Sequence, residues 1–125
     1  MNQSRFSLRQ RGRSFRYAFR GLAILVREEH NARIHLVAAV GVIAAGVLFR
    51  LSRWEWVAVT FAIGLVFSFE LLNSALERLA DVVSPERSEA IGKIKDLSAA
   101  GVLMSALTAL VIGLWVFVPK IVALW

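Results

Sequence analysis

Four polar residues lie at helical spacing within and just after an apolar segment of the chain, and their types could carry chemistry. Glu70, Asn73, Glu77 and Asp81 occupy positions i, i+3, i+7 and i+11 in the segment FSFELLNSALERLAD. On an α-helix these positions fall within an arc of about 80°, and we call the set the polar stripe. An ionisable group as deep in an apolar segment as Glu70 costs roughly 2.5–3.5 kcal/mol to insert into a membrane, which indicates a functional role.

The polar stripe offers oxygen atoms as ligands and contains neither histidine nor cysteine. Such oxygens suit a hard cation such as Mg²⁺, which commonly bridges to phosphate oxygens. A further carboxylate near the lipid interface can act as a general base toward a substrate hydroxyl. The competing interpretation, in which the stripe only solvates a helix end, suffices for Asp81 alone but does not explain Glu70.

Two more groups of polar residues lie next to the apolar segments. Glu29 and Arg33 belong to the segment EEHNARIH before the first apolar segment, and Lys95 and Asp96 come just before the last one. A lysine beside carboxylates and arginines can contact nucleotide phosphates as a point charge. For Asp96 the sequence leaves a second interpretation open, which is the N-terminal cap of a helix.

These residues must be positioned by apolar helices that are long enough to cross a membrane. The chain has 125 residues, of which 58% are hydrophobic, and it contains no cysteine, which excludes disulfides and a thiol nucleophile. Apolar segments at about 34–51, 54–72 and 97–118 approach the roughly 20 residues that a membrane-spanning helix needs. The sequence therefore predicts an all-α, polytopic membrane protein with three transmembrane helices in one domain, residues 1–125.

The segment before the first span predicts an amphipathic surface helix at about residues 13–30. Phe15, Phe19, Leu22 and Val26 fall on one helical face and arginines fall on the opposite face. This pattern is typical of a helix that lies in the membrane interface.

The distribution of basic residues predicts the orientation of the chain. Eight arginines, beginning with Arg5, precede residue 34, whereas Lys120 is the one basic residue after the last span. Because basic residues are enriched in cytoplasmic segments, we expect the N-terminus and the loop at 73–96 in the cytoplasm. We expect membrane lipids, and no nucleic acid, as partners of the arginines, since no soluble domain accompanies them.

Small residues recur at every fourth position of the third span. Such a repeat lets helix backbones approach closely inside a membrane. Three spans form a thin bundle, so we expect the chain to associate with copies of itself. The repeat consists of Gly101, Ser105, Ala109 and Gly113.

These motifs together resemble the bacterial integral-membrane diacylglycerol kinase and undecaprenol kinase family over essentially the full chain. The pattern E-x-x-N-S-A-x-E with a downstream K-D is highly specific at this spacing. The form E-x-N-x-R-I-H is closer to the undecaprenol kinase branch. The resemblance rests on Gly21-Leu22, on Glu29, Asn31 and Arg33-Ile34-His35, on Glu70, Asn73-Ser74-Ala75-Leu76-Glu77 and Asp81, and on Lys95-Asp96 before SAAGVL.

The resemblance implies a homotrimer of three-span subunits with surface helices and with active sites shared between subunits. It also implies transfer of the γ-phosphate of ATP, with Mg²⁺, to a lipid hydroxyl at the cytoplasmic face of the bacterial inner membrane, for lipid recycling. Undecaprenol is slightly favoured over diacylglycerol as the acceptor. Ser88 stands where a histidine is common in the family, so no role carries over to that position.

The resemblance also implies roles for individual residues of this chain. Glu70 corresponds to the general base, and Asn73 corresponds to a residue that supports the catalytic centre. Glu29 and Glu77 correspond to the carboxylates that hold Mg²⁺-ATP. The residues expected at the nucleotide are, in addition, Arg16, Arg33, Asp81, Lys95 and Asp96.

A small multidrug or ion transporter is the alternative function, because such proteins also use an intramembrane carboxylate, here Glu70. A transporter would place its acid near the middle of the membrane and would not need carboxylates that continue into the cytoplasm.

Overall fold

The computed structural model describes residues 6–125, and its secondary structure over this range is entirely helical. Residues 1–5 of the predicted domain, with Arg5, lie outside the described residues. The helices are α1 (Leu8–Glu28), α2 (His30–Leu48), α3 (Arg53–Val83) and α4 (Glu89–Val122). By length and composition, α2, α3 and α4 can each cross a membrane. The prediction of an all-α protein with three spans and an N-terminal helix is confirmed.

The surface helix α1 differs from the prediction at both ends. It begins at Leu8 because the Ser7 side chain accepts a hydrogen bond of 3.4 Å from the backbone N–H of Gln10. It ends at Glu28, since Glu29 has an extended backbone, with φ −106° and ψ 113°. The predicted range of 13–30 was therefore wrong, and Glu29 alone separates α1 from α2.

The arginine that follows this break ties it to the end of α1. Arg33 Nε donates a hydrogen bond of 2.8 Å to the carbonyl oxygen of Val26, and the same guanidinium group also bonds the carbonyl oxygen of Arg27. The last carbonyls of a helix have no partner within the helix, so this side chain satisfies groups that would otherwise be unpaired.

The second and third spanning helices extend well beyond the predicted membrane segments. α3 continues past residue 72 to Val83, and α4 begins at Glu89 instead of residue 97. Ser88 caps α4, because its side chain accepts a hydrogen bond of 3.2 Å from the N–H of Ile91. Asp96 therefore lies inside the helix, and the interpretation of Asp96 as an N-terminal cap was wrong.

A small hydrophobic cluster holds the ends of the spans opposite to the polar stripe. Leu51, Val59 and Val116 are buried there, and the rings of Phe49 and Phe117 meet edge to face with centroids 6.1 Å apart. Most other large apolar side chains of the spans are exposed in the single chain, which is the distribution expected where lipid or another subunit covers them.

The close approach of two helices at this end requires a glycine. A Cβ atom on Gly46 would lie 2.6 Å from the ring of Trp56. The Trp56 ring of α3 can therefore pack against α2 at this level because residue 46 has no side chain.

α4 packs along α3, and the small-residue repeat of α4 takes part in this contact at the N-terminal end of the repeat. Ser105 is buried, and a Cβ on Gly101 would lie 3.1 Å from the ring of Phe69. Ala109 and Gly113 instead line a cavity between the helices. Within one chain, the expected close contact is present at Gly101 and Ser105 but not at Gly113.

Candidate active site

Glu70, the first residue of the polar stripe, is buried in the bundle. Its exposed fraction is 4%, and Nε2 of His35 on α2 lies 3.2 Å from its Oε1 atom. α3 runs without interruption from Arg53 to Val83, so all four residues of the stripe share one helix, as predicted. Sequence reasoning quoted His35 as part of a motif but did not assign it to the site, because nothing local shows that α2 brings it to Glu70.

Two side-chain oxygens of the stripe are buried without a hydrogen-bond partner among the described residues. They are Oε1 of Glu70 and Oδ1 of Asn73. The imidazole of His35 lies 3.2 Å from the first of them and forms an ion pair with it when protonated. A buried polar atom without a partner costs about 1–3 kcal/mol, so a bound hydroxyl or amine would be favoured at either oxygen.

Glu29 is held by residues of α3 at the junction of α1 and α2. The Ser74 hydroxyl donates a hydrogen bond of 2.9 Å to Oε1 of Glu29. Arg78 Nη2 lies 2.8 Å from Oε2 of Glu28 and 3.5 Å from Oε1 of Glu29, so one guanidinium group reaches both carboxylates. Contacts from two residues, Ser74 and Arg78, thus orient the carboxylate of Glu29.

Sequence reasoning missed Arg78, and it quoted Glu28 and Ser74 only as parts of motifs, without a role in the site. Ser74 and Glu29 are 45 positions apart in the chain, and Arg78 and Glu28 are 50 apart. The spacing from Ser74 to Arg78 places them on one helical face, but that signal names no partner for either residue.

A divalent cation in this site would depend on phosphate oxygens and water for much of its coordination. Within residues 6–125, no group of three or more His, Cys, Asp or Glu side chains is arranged to hold a metal ion. Glu29 lies between α1 and α2, and Glu77 lies in the C-terminal part of α3. Mg²⁺ is commonly bound by one or two carboxylates together with substrate phosphates, so the available donors fit this ion in the presence of ATP.

α4 supplies the remaining charged residues next to the stripe. Nζ of Lys95 lies 2.7 Å from Oδ1 of Asp81, which joins α4 to the C-terminal end of the stripe. Asp96 is exposed and lies 3.9 Å from Nη2 of Arg87. The structure thus brings Lys95 to the stripe, while Asp96 is directed to a basic residue of the loop.

The two arginines expected at the nucleotide belong to α1 and to the start of α2. Arg16 is exposed on α1, and the guanidinium group of Arg33 bonds the last carbonyls of that helix. In this structure Arg33 therefore has a structural role beside Glu29.

The sequence of this chain matches a known protein family over most of its length. The family described as prokaryotic diacylglycerol kinase matches residues 16–117, which include the polar stripe, Glu29 and the Lys95–Asp96 pair. The chain belongs to the prokaryotic diacylglycerol kinase family. Membership confirms the expectation of a membrane-bound lipid kinase, a phosphotransferase, and argues against the transporter alternative.

Three proteins that are similar to this chain are named as lipid kinases. The undecaprenol kinase of Bacillus subtilis is 37% identical over 109 residues, which cover 87% of this chain and 89% of that protein. The diacylglycerol kinase of Synechocystis is 34% identical over 112 residues, or 89% of this chain and 64% of that protein. The diacylglycerol kinase of Haemophilus influenzae is 29% identical over 92 residues, or 74% of this chain and 78% of that protein.

Proposed function

We propose that this protein transfers the γ-phosphoryl group of ATP to the hydroxyl group of a membrane lipid alcohol, with undecaprenol favoured over diacylglycerol. The observation that carries this proposal is the buried carboxylate of Glu70, whose Oε1 atom has no hydrogen-bond partner among residues 6–125. A lipid hydroxyl donating to this oxygen would satisfy it while the lipid chain stays in the membrane.

Glu70 acts as the general base in this proposal. The hydroxyl oxygen of the lipid forms a bond to the γ-phosphorus, the bond from that phosphorus to the bridging oxygen of ADP breaks, and the hydroxyl proton passes to Glu70. Asn73, one turn further toward the cytoplasm, supports the reacting groups through its buried Oδ1 atom. Phosphoryl transfer depends on positioning and charge stabilisation, which these groups on one rigid helix can supply.

Glu29 and Glu77 would hold Mg²⁺ together with the ATP phosphates, and the ion would neutralise phosphate charge. The bonds from Ser74 and Arg78 support this role for Glu29, because they orient its carboxylate in advance. We assign nucleotide contacts to the charged residues around the stripe. They are Asp81, Lys95 and Asp96, with Arg16 and Arg33 from the α1 side.

We also propose a homotrimer with active sites shared between subunits, in the bacterial inner membrane and with the N-terminus in the cytoplasm. The large exposed apolar area of the single chain supports association, and the arginines of α1 support the orientation. Cross-linking in lipid and accessibility of an N-terminal tag test these points. A fully active monomer, or a tag reached only from the outside, would refute them.

The activity is tested with purified protein in mixed micelles, by measuring ATP consumption and lipid phosphate formation. We expect both to require Mg²⁺ and a lipid alcohol, with undecaprenol giving a higher kcat/KM than dioleoylglycerol. ATP consumption that is independent of any lipid alcohol would contradict the proposal. A higher kcat/KM with dioleoylglycerol would support the kinase activity but would make diacylglycerol the preferred acceptor.

A further inference from the structure

An apolar slot lies between α2, α3 and α4, on the membrane side of the polar stripe. It has a volume of about 100 Å³. Along α2 it extends from His35 to Val42, which at 1.5 Å per residue is about 10 Å. Residues that line it, and that define the apolar slot, include His35, Ala39, Val42, Ala62, Val66 and Gly113.

One end of the apolar slot meets the general base. His35 lines the slot and also lies 3.2 Å from Oε1 of Glu70. Val66, which lines the slot on α3, precedes Glu70 by one helical turn. A chain lying in the slot would therefore carry its terminal hydroxyl to the carboxylate that lacks a hydrogen-bond partner.

The walls of the apolar slot suit one thin, branched hydrocarbon chain. Apart from His35, the residues that line it are apolar, and several are alanine or glycine. Lipid chains are as apolar as such walls, so transfer from lipid gives little hydrophobic gain and the occupant is selected by packing. Small side chains leave room for methyl branches, which a polyprenyl chain carries along its length. A whole helix, about 10–12 Å across, is too wide for this space.

We propose that the apolar slot binds the hydroxyl-bearing end of a single polyprenyl chain and presents its hydroxyl to Glu70. The inference rests on the proposed kinase function and adds to it a subsite that favours single-chain alcohols. A diacylglycerol joins two acyl chains near its hydroxyl, and the slot accommodates one chain at most. The preference between the two acceptors thus depends on the residues that line the slot, and these residues lie away from the nucleotide site.

Two glycines in spanning helices give a matched pair of variants. Apart from the chain neighbours and the backbone of the same helix, no heavy atom of the described residues lies within 4 Å of a Cβ built on Gly113 or on Gly41. Gly113 lines the slot, whereas Gly41 on α2 is exposed on the outside of the bundle. Gly113→Leu therefore fills the slot. Gly41→Leu is the same substitution on the outer surface of the bundle, where the new side chain faces lipid.

The experiment measures kcat/KM of both leucine variants with undecaprenol and with dioleoylglycerol, together with the KM for ATP and the oligomeric state. We expect Gly113→Leu to lower kcat/KM for undecaprenol by about tenfold or more, since overfilling an apolar site commonly has an effect of this size. Gly41→Leu should stay within about twofold of the original protein. The loss with dioleoylglycerol should be smaller, and the KM for ATP should not change.

The slot proposal would be overturned if Gly113→Leu and Gly41→Leu lowered kcat/KM for undecaprenol equally, or if Gly113→Leu lowered kcat/KM equally for both acceptors. Either result would leave the proposed kinase activity unaffected. A change in oligomeric state confined to Gly113→Leu would also overturn the slot proposal, because the slot would then be a contact between subunits. Absence of lipid phosphorylation by the original protein would instead overturn the proposed function itself. If Gly113→Leu does not fold, Gly113→Ala is compared with Gly41→Ala. We expect Gly113→Ala to lower kcat/KM for undecaprenol by about threefold. Equal kcat/KM values for these two variants would refute the proposal.

Discussion

Replacement of Glu70 by glutamine tests the proposed general base most directly. The side chain is 4% exposed, and its Oε1 atom lacks a hydrogen-bond partner among the described residues. Glutamine has nearly the same shape, so the packing against α2 is kept while the basic oxygen is removed. General-base catalysis contributes typically about 10²–10⁴-fold, which corresponds to roughly 2.7–5.4 kcal/mol in the activation barrier. We expect kcat to fall by that factor.

The binding of ATP should survive this change, since the carboxylates assigned to Mg²⁺-ATP lie elsewhere on the stripe and at Glu29. Unfolding in detergent compares the stability of Glu70→Gln with that of the original protein. We expect the stability of the variant to be equal or higher because a charge has left the membrane. Glu55→Gln is the matched control. It makes the same change at the other end of α3, where Glu55 lies 3.0 Å from Nζ of Lys120, and kcat should be preserved.

The assay is steady-state phosphorylation of the preferred lipid alcohol in mixed micelles, with ATP binding measured separately. Near-normal kcat in Glu70→Gln, with both substrates bound, would refute the general-base assignment. Loss of ATP binding with intact chemistry would make Glu70 a metal ligand and would redistribute the roles within the stripe. An equal loss in Glu55→Gln would show that removing any carboxylate of α3 damages the fold.

Three further predictions concern the nucleotide side of the site. Glu29→Gln or Glu77→Gln should raise the Mg²⁺ concentration needed for half-maximal activity while leaving the fold intact, and unchanged titrations with both variants would exclude the metal assignment. Lys95→Ala should raise the KM for ATP about tenfold or more with a smaller change in kcat, because Asp81, 2.7 Å from Lys95, is then left uncompensated beside the phosphates; an unaltered KM would remove Lys95 from the nucleotide site. Arg78→Lys keeps the charge but not the planar group that reaches two carboxylates, so it should raise the Mg²⁺ requirement by severalfold, and activity equal to the original protein would show that Glu29 needs no such support.

The sequence by itself determined the class of protein and the contents of the polar stripe. Apolar length indicates spanning helices because the thickness of the membrane sets it, and the four stripe residues share a face because helical geometry is local. The family resemblance of the chain was also contained in short motifs. Helix ends were less predictable: Ser88, not Asp96, caps α4, and α3 and α4 continue beyond the membrane segments because a helix does not end where its hydrophobicity does.

Only the tertiary structure decided which faces of different helices meet. His35 reaches Glu70, and Ser74 and Arg78 reach Glu29, across separations of 35 to 50 positions that periodicity does not connect. The extended backbone at Glu29 turns the chain between α1 and α2, and this turn places the carboxylate against α3. The apolar slot exists for the same reason, because a space between three helices depends on how they pack, and the residues of each helix specify only its own surface.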